Sequence, residues 1–340
     1  MNVLIVKTSS MGDIIHALPA LTDAVKAHPN IKFDWVLEEG FVEVPSWHNA
    51  VNEIIPVAIR RWRKHPIQAI KSGEIKRFHQ KLKSKTYDLV IDAQASYKSA
   101  IVTYFAKGPR CGLDWRSSRE PFVQLSYDKT FYVNRKQHAI KILRELFAQA
   151  LNYPFVDDQP NYDINRKYLL TPPVDLPEKY VVFVHATNWV TKCWPEQYWY
   201  ELAQKVEQAG YPILLPWGAP HEFERAQRIA ASCKSAIVLP KLKLAEIATI
   251  LANAKAAVCV DTGLSHLTAA LNTPAVTVYG PTNPALIGAT GIGQKHLVAQ
   301  FPCAPCKLKV CSYKKPSEQK PACFMSIPTQ KVWDEVSKLI

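Results

Sequence analysis

Short β-branched runs alternate with helical patterns from the first residue of the chain. Residues 3–7, 33–37, 51–56 and 89–92 read as strands, separated by helical stretches such as 13–27 and 67–83. Strands covered on both faces by crossover helices read this way, so a parallel sheet is expected. A polar stretch, 157–179, carries Pro172, Pro173 and Pro177 and interrupts the pattern, as prolines in a linker do. A second series of strands then begins: 180–185, 212–217, 256–260 and 275–279, again interleaved with helices. The expected class is α/β, with two Rossmann-like doubly wound domains, 1–165 and 166–340, and a ligand cleft between their strand ends. Residues 329–339 close the chain with Val332, Trp333, Val336 and Leu339 at helical spacing.

Composition narrows the class of protein. At 340 residues the chain can bury two cores without disulfide or metal support. With 48% hydrophobic and 21% charged residues it is neither disordered nor membrane-spanning in type, and no apolar run approaches the roughly 18 residues of a spanning helix. The opening residues show no basic leader, apolar core or cleavage site, so a cytoplasmic location is expected. Eight cysteines then read as free thiols or metal ligands, because the cytosol keeps thiols reduced.

Net charge is +13, and its placement matters more than its sum. Between Arg60 and Lys85 ten Lys or Arg face one acid, Glu74, which puts +9 in a single segment. Such a block suits an anionic partner, whether nucleic acid, an anionic membrane face or a polyanionic substrate; it is equally compatible with a solvated helix face.

Three loops at strand ends carry the candidate chemistry. The first runs from Lys7 to Pro19, Lys-Thr-Ser-Ser-Met-Gly-Asp-Ile-Ile-His-Ala-Leu-Pro. Gly12 permits close backbone approach there, and Asp13 falls where a helix should begin. Asp13 is either an N-cap or a general base that takes the proton of an attacking acceptor hydroxyl in an inverting sugar transfer. His16, one turn on, is a second polar candidate or a packing residue. The second loop, Asp261-Thr262-Gly263-Leu264-Ser265-His266, joins a strand to a helix. The N–H groups of that first turn can hold diphosphate oxygens, with the Thr262 and Ser265 hydroxyls adding donors and Asp261 meeting sugar hydroxyls or capping the helix. The third, 185–195, offers Lys192 as a cation for a diphosphate leaving group, while Glu222, beyond the next strand, could accept from a ribose.

With these motifs assembled, the chain resembles the ADP-heptose transferases of glycosyltransferase family 9. The likeness is carried by residues 7–19, 58–64 (Ala-Ile-Arg-Arg-Trp-Arg-Lys), 90–94 (Val-Ile-Asp-Ala-Gln) and 261–266, and it weakens after about residue 295. The basic block is the part most particular to the branch that adds the first heptose of the lipopolysaccharide inner core. The resemblance implies a GT-B enzyme and an inverting transfer of L-glycero-D-manno-heptose from ADP-heptose to the 5-hydroxyl of Kdo on lipid A. It implies Asp13 and Lys192 as catalytic residues. The implied donor site is Thr187, Asn188, Lys192, Glu222, Asp261, Thr262, Gly263, Leu264, Ser265 and His266, with Asn188 standing where the family often has Thr. The implied acceptor site is Ser10, Gly12, Arg60, Arg61, Arg63, Lys64, Gln94, Lys98 and Arg119.

In such proteins a terminal helix often returns to the first domain, and 329–339 is a candidate for it. No cofactor is required on this reading. A phosphorylated acidic lipid in an anionic leaflet accounts for the basic segment without nucleic acid, and places the protein peripherally at the cytoplasmic face of the inner membrane. One cluster departs from that branch: Cys303, Cys306, Cys311 and Cys323, whose first pair has metal-ligand spacing and which are otherwise loop or buried thiols. Similar cysteines in second-heptose and protein-acceptor transferases keep those activities open. From another class, a non-catalytic anion-binding α/β protein remains an alternative.

Overall fold

The computed structural model describes all 340 residues, Met1–Ile340. They form two compact units, Met1–Tyr168 and Leu169–Ile340. In the first, six parallel strands are β1 (Asn2–Val6), β2 (Lys32–Glu38), β3 (Val51–Val57), β4 (Leu89–Asp92), β5 (Arg110–Leu113) and β6 (Lys129–Phe131), ordered β3-β2-β1-β4-β5-β6. The second repeats this plan with β7 (Val181–Val184), β8 (Ile213–Leu215), β9 (Ala236–Val238), β10 (Ala256–Val260), β11 (Ala275–Tyr279) and β12 (Gln294–Val298), ordered β12-β11-β10-β7-β8-β9. Each sheet therefore reverses direction once, between β1 and β4 and between β7 and β10, the switch points where doubly wound sheets bind ligands.

The helices of the first unit are α1 (Met11–Ile15), α2 (Leu18–Ala27), α3 (Glu43–Ser46), α4 (Ile59–Lys64), α5 (Pro66–Lys71), α6 (Glu74–Lys83), α7 (Tyr97–Phe105) and α8 (Ala139–Leu151). Right-handed crossovers put α2 on one face of the sheet and α4 to α7 on the other. Accordingly α2 packs on α8, while α5, α6 and α7 pack in series and α7 meets the 3-10 turn Val123–Ser126. Leu82, Val102 and Ala106 close this second layer over Leu4, Val6, Val36 and Val90. In the second unit the helices are α9 (Glu196–Gln208), α10 (Pro220–Ala230), α11 (Leu244–Asn253), α12 (Gly263–Ala270), α13 (Pro284–Ile287) and α14 (Thr329–Val336). Its core joins Val181, Phe183, Val258 and Val276 to Trp194, Trp199 and Phe324. No helix is long and apolar enough to cross a membrane.

Two local expectations are corrected. The stretch 13–27 is two helices, because Pro19 at the start of α2 has no N–H to continue the ladder from α1. The stretch 67–83 breaks at Gly73, whose φ of 72° is a left-handed conformation that suits glycine. In the second unit α14 buries Val332 and Val336 against α9 and β11.

Candidate active site

In the first unit Val6 lies opposite both Val36 and Asp92, so the loops after β1, β2 and β4 leave the sheet at one level. The β1 loop is fixed from β4. Gln94 Oε1 accepts from Thr8 N (2.6 Å), Thr8 Oγ1 (2.9 Å) and Ser9 N (3.3 Å), and its Nε2 donates to Ser96 Oγ (3.1 Å). Asp13 is not the N-cap of α1. Ser10 is, and Asp13 stands at the third helical position, where Oδ2 accepts from Ser10 N and Ser10 Oγ, both at 2.8 Å. The half-buried carboxylate is thereby aimed along the strand edge.

Beside it sits Lys7, 6% exposed, donating to Ala93 O at 3.0 Å. Burial pushes the Lys7 ammonium below the usual lysine range; Asp13 and Asp92 pull it back up, and Arg119 adds a further push down. Burial also raises the Glu38 carboxyl at the end of β2, opposed by Arg60 and Lys98. Lys7 thus shares a neighbourhood with Asp13, Asp92 and Arg119, and Glu38 shares one with Arg60 and Lys98.

Arg61 is committed elsewhere, bridging Glu39 at 3.0 Å and Glu74 at 2.8 Å, while Arg60 lies 5.3 Å over the Phe41 ring. Arg60, Arg61 and Lys64 line a cleft of about 430 Å³ with Glu38, Phe41 and His65. Arg63 and Lys64 stand exposed on α4, and Gly12 is buried in the first turn of α1. His16 is a packing residue, 3% exposed, with its ring 5.4 Å from that of His138.

The equivalent edge of the second unit is closed on itself. Asp261, 2% exposed, leaves β10 and meets Lys192 Nζ at 2.8 Å and Thr282 Oγ1 at 2.6 Å, with His266 Nε2 at 3.9 Å. Groups from the loops after β7, β10 and β11 therefore converge on one buried carboxylate. Asp261 does not cap α12: Thr262 does, paired with Ser265 at the third helical position. The Ser265 hydroxyl is fully buried and donates to Thr262 O at 2.7 Å, so it is not a ligand donor. Thr262, Gly263 and Leu264 are half-exposed, and the N–H groups of Gly263 and Leu264 lie in the first turn, where no intrahelical acceptor exists. Glu222 spends Oε2 on Gly218 N (2.8 Å) and Ala219 N (3.0 Å) at the start of α10.

The β7 loop is braced from within. Cys193 Sγ donates to Thr187 O and Trp189 O, each at 3.8 Å, Lys192 lies 4.7 Å over the Trp189 ring, and Asn188 is exposed. The 299–323 segment clasps the same loop. Thr191 Oγ1 donates to Leu308 O (2.6 Å), Lys307 N donates to Pro281 O (2.8 Å), and Lys309 lies 5.5 Å over Trp189 from its own side.

Residues 75–316 match the family model described as glycosyltransferase family 9 (heptosyltransferase). Lipopolysaccharide heptosyltransferase 1 of Pseudomonas aeruginosa is 49% identical over 350 residues, covering 100% of this chain and 98% of that protein. The protein of the same name from Escherichia coli K12 is 52% identical over 303 residues, covering 89% of this chain and 94% of its own length. The solved structure of E. coli heptosyltransferase WaaC with ADP superposes with a TM-score of 0.88 at 46% identity, over 100% of both chains. The chain belongs to glycosyltransferase family 9. Its two Rossmann-like units are the GT-B fold of these heptosyltransferases, and it is a glycosyltransferase; the non-catalytic anion-binding reading is set aside.

Family 9 membership also sharpens what sequence reasoning missed. Lys7 follows β1 at the switch point, a topological signal that marks it, whereas Thr282 follows β11, one strand removed, and reaches Asp261 only through the fold. Lys307 and Lys309 carried no signal of their own, since only the fold brings them against Trp189. The sequence left Cys303, Cys306, Cys311 and Cys323 open between metal ligands and loop or buried thiols. The thiols are neighbours, for the other three add to the rise of Cys323 to about 11 that burial begins. They do not converge: no group of three or more His, Cys, Asp or Glu is placed to hold a metal ion. Cys303 and Cys311 are exposed on an irregular segment, whereas Cys323 is buried against Gly280 and Phe324.

Proposed function

We propose that this glycosyltransferase transfers L-glycero-D-manno-heptose, with inversion, from ADP-heptose to the 5-hydroxyl of Kdo on lipid A, placing the first heptose of the lipopolysaccharide inner core. The acceptor oxygen attacks the anomeric carbon; the bond from that carbon to the β-phosphate oxygen breaks, and ADP leaves. The proton of the acceptor hydroxyl passes to Asp13. Asp13 is aimed for this by Ser10, and the Gln94 amide holds the loop that carries both. The single observation that carries the reading is this carboxylate, held by Ser10 at the end of β1 beside the buried Lys7, which also feels Arg119.

Donor binding belongs to the second unit. The first-turn N–H groups of Gly263 and Leu264, beside Thr262, cradle the diphosphate, and Lys192 meets the charge that builds on ADP. Asp261 holds Lys192 in place with His266 on its other oxygen, and Thr187, Asn188 and Glu222 complete the donor side, Glu222 through the oxygen not spent on the α10 turn. Arg60, Arg63, Lys64, Lys98 and Arg119 meet the phosphates and carboxylates of the acceptor, Arg61 shapes their cleft, and Ser10, Gly12 and Gln94 position the base. An acceptor anchored in lipid places the protein at the cytoplasmic face of the inner membrane, bound peripherally.

The test is incubation with ADP-heptose and Kdo-bearing lipid A, following ADP release together with acceptor mass. A gain of one heptose on Kdo is expected. Transfer only to an already heptosylated lipid A, or to a protein, would overturn the choice of acceptor while leaving the donor chemistry standing.

A further inference from the structure

The two helical layers of the first unit differ in what they show to solvent. On one face, α2 and α8 expose no large apolar side chain. On the other, α5 exposes Ile67 and Ile70, both 69% accessible, and the turn Val123–Ser126 with its preceding residue exposes Leu125 at 79% and Phe122 at 69%. Between them α7 is apolar on both sides. Val102 and Ala100 face the core, while Ile101 and Tyr104, 60% and 59% exposed, belong to an outer stripe at helical spacing. These elements are neighbours, because α5 packs on α6, α6 on α7, and α7 on the turn. Single exposed apolar side chains stand elsewhere too, among them Val156, Val190, Ile292 and Val310, but of the first unit's two helical layers only this one carries several on adjoining elements.

Cations are interleaved with them. Lys64 and Lys71 bracket α5, Lys83 lies 5.7 Å over the Phe105 ring, and Arg110 lies 5.6 Å over Tyr104. Aliphatic side chains gain nothing from nucleic acid, and a surface carrying this excess of Lys and Arg is paired with anions. Exposed aliphatics beside long basic stems that can keep their heads in water, with Tyr at the margin, match the boundary between lipid headgroups and acyl chains.

We infer that the α5–α7 layer of the first unit, with the turn Val123–Ser126, is a monotopic membrane-docking surface, whose Ile67, Ile70, Ile101, Phe122 and Leu125 enter the acyl boundary of an anionic leaflet while the surrounding lysines and arginines engage its headgroups. The inference rests on the lipid-acceptor reading above and deepens it: the acceptor need not leave its bilayer, because the layer that docks is continuous with α4 and the N-terminal end of α7, which carry the acceptor cations.

The experiment measures two things on the full chain: co-sedimentation with vesicles, and transfer to a water-soluble, fully delipidated Kdo acceptor. Wild-type protein is compared with the triple variant Ile70→Ser, Ile101→Ser, Leu125→Ser, whose unfolding transition is checked to be unchanged, and with the charge variant Lys71→Gln, Lys76→Gln. The expected result is binding to equimolar phosphatidylglycerol–phosphatidylcholine vesicles that falls by roughly tenfold or more in the triple variant. Both variants should keep wild-type transfer to the soluble acceptor, and the charge variant should lose affinity for the anionic vesicles only. Wild-type binding by the triple variant, or no binding of the wild-type protein to anionic vesicles, would overturn the docking surface. Absence of transfer by wild-type protein with vesicle binding intact would instead overturn the acceptor reading and support the surface on its own.

Discussion

The two units share a strand order yet use their switch points in opposite ways. In the first, the edge between β1 and β4 is open: Asp13 is half-buried and tied to Ser10, and the cations around it stand mostly in solvent. In the second, the edge between β7 and β10 is shut, with the buried Asp261 paired to the half-buried Lys192 at 2.8 Å. One backbone plan decides where ligands go. The residues that follow its first and fourth strands decide whether the place is a reactive, charged rim or a preorganised cradle.

The largest effect expected from breaking this division is at Asp13. Asp13→Ala should lower turnover by about 10²–10⁴ while leaving ADP affinity by calorimetry unchanged; a parallel loss of ADP affinity would abolish the separation of roles. Lys192→Ala acts on the other side. It leaves the Asp261 carboxylate buried without its cation, so ADP affinity should drop and stability fall by about 3 kcal/mol, seen as an earlier thermal transition. If ADP binds as before, the cradle does not need its lysine.

Packing offers a matched pair of smaller effects. A methyl group on Gly112 would lie 2.5 Å from the Tyr127 ring, and one on Gly280 2.7 Å from the Phe324 ring. Gly112→Ala and Gly280→Ala should each cost about 1–3 kcal/mol through overpacking. Where calorimetry resolves two transitions, each variant should move a different one.

At any single pH step the mildest test is acidification. In the first unit His48 Nδ1 accepts from Ala50 N at 3.2 Å, so the proton sits on Nε2, facing Thr22 Oγ1 at 3.1 Å. Burial lowers its pKa to about 4, and in the second unit burial, with Arg225 alongside, lowers that of His185 to about 3. The unfolded chain binds the extra proton first, near pH 6.5. Each histidine therefore contributes stability that is present above that pH and lost as pH falls toward its folded value, at up to about 1.4 kcal/mol per pH unit. The fall should continue to lower pH for the second unit, and His48→Gln should flatten it only in the first. Equal responses in both units would break the contrast.

The sequence made the central strands legible because they are buried on both faces and apolar throughout: 3–7, 89–92, 180–185 and 256–260 all stand in or beside the observed switch-point strands. It hid β5, β6, β9 and β12. Arg110–Leu113 and Lys129–Phe131 are only four and three residues long, with polar members, and Gln294–Val298 lies at a sheet edge where one flank meets solvent. The chemistry-bearing loops were legible for the same reason as the strands they follow. What the side chains do within them was not, since Gln94, Arg61 and Ser265 are polar types that the fold spends on holding its own loops, and no pattern along the chain distinguishes a bonded amide from one awaiting a ligand. The cysteine spacing left two readings open for a related reason: two thiols near in sequence converge on a metal only if the backbone between them is shaped to do so.

The clasp between the 299–323 segment and the Trp189 loop turns those same thiols into reporters. Cys111 and Cys259 are buried, with thiols pushed up to about 12, and will resist alkylation, whereas Cys303 and Cys311 are exposed. A fluorophore attached at either would ride on the strap that Thr191 and Pro281 hold down, so that occupancy of the nucleotide cradle could be followed optically, in real time and without a labelled sugar.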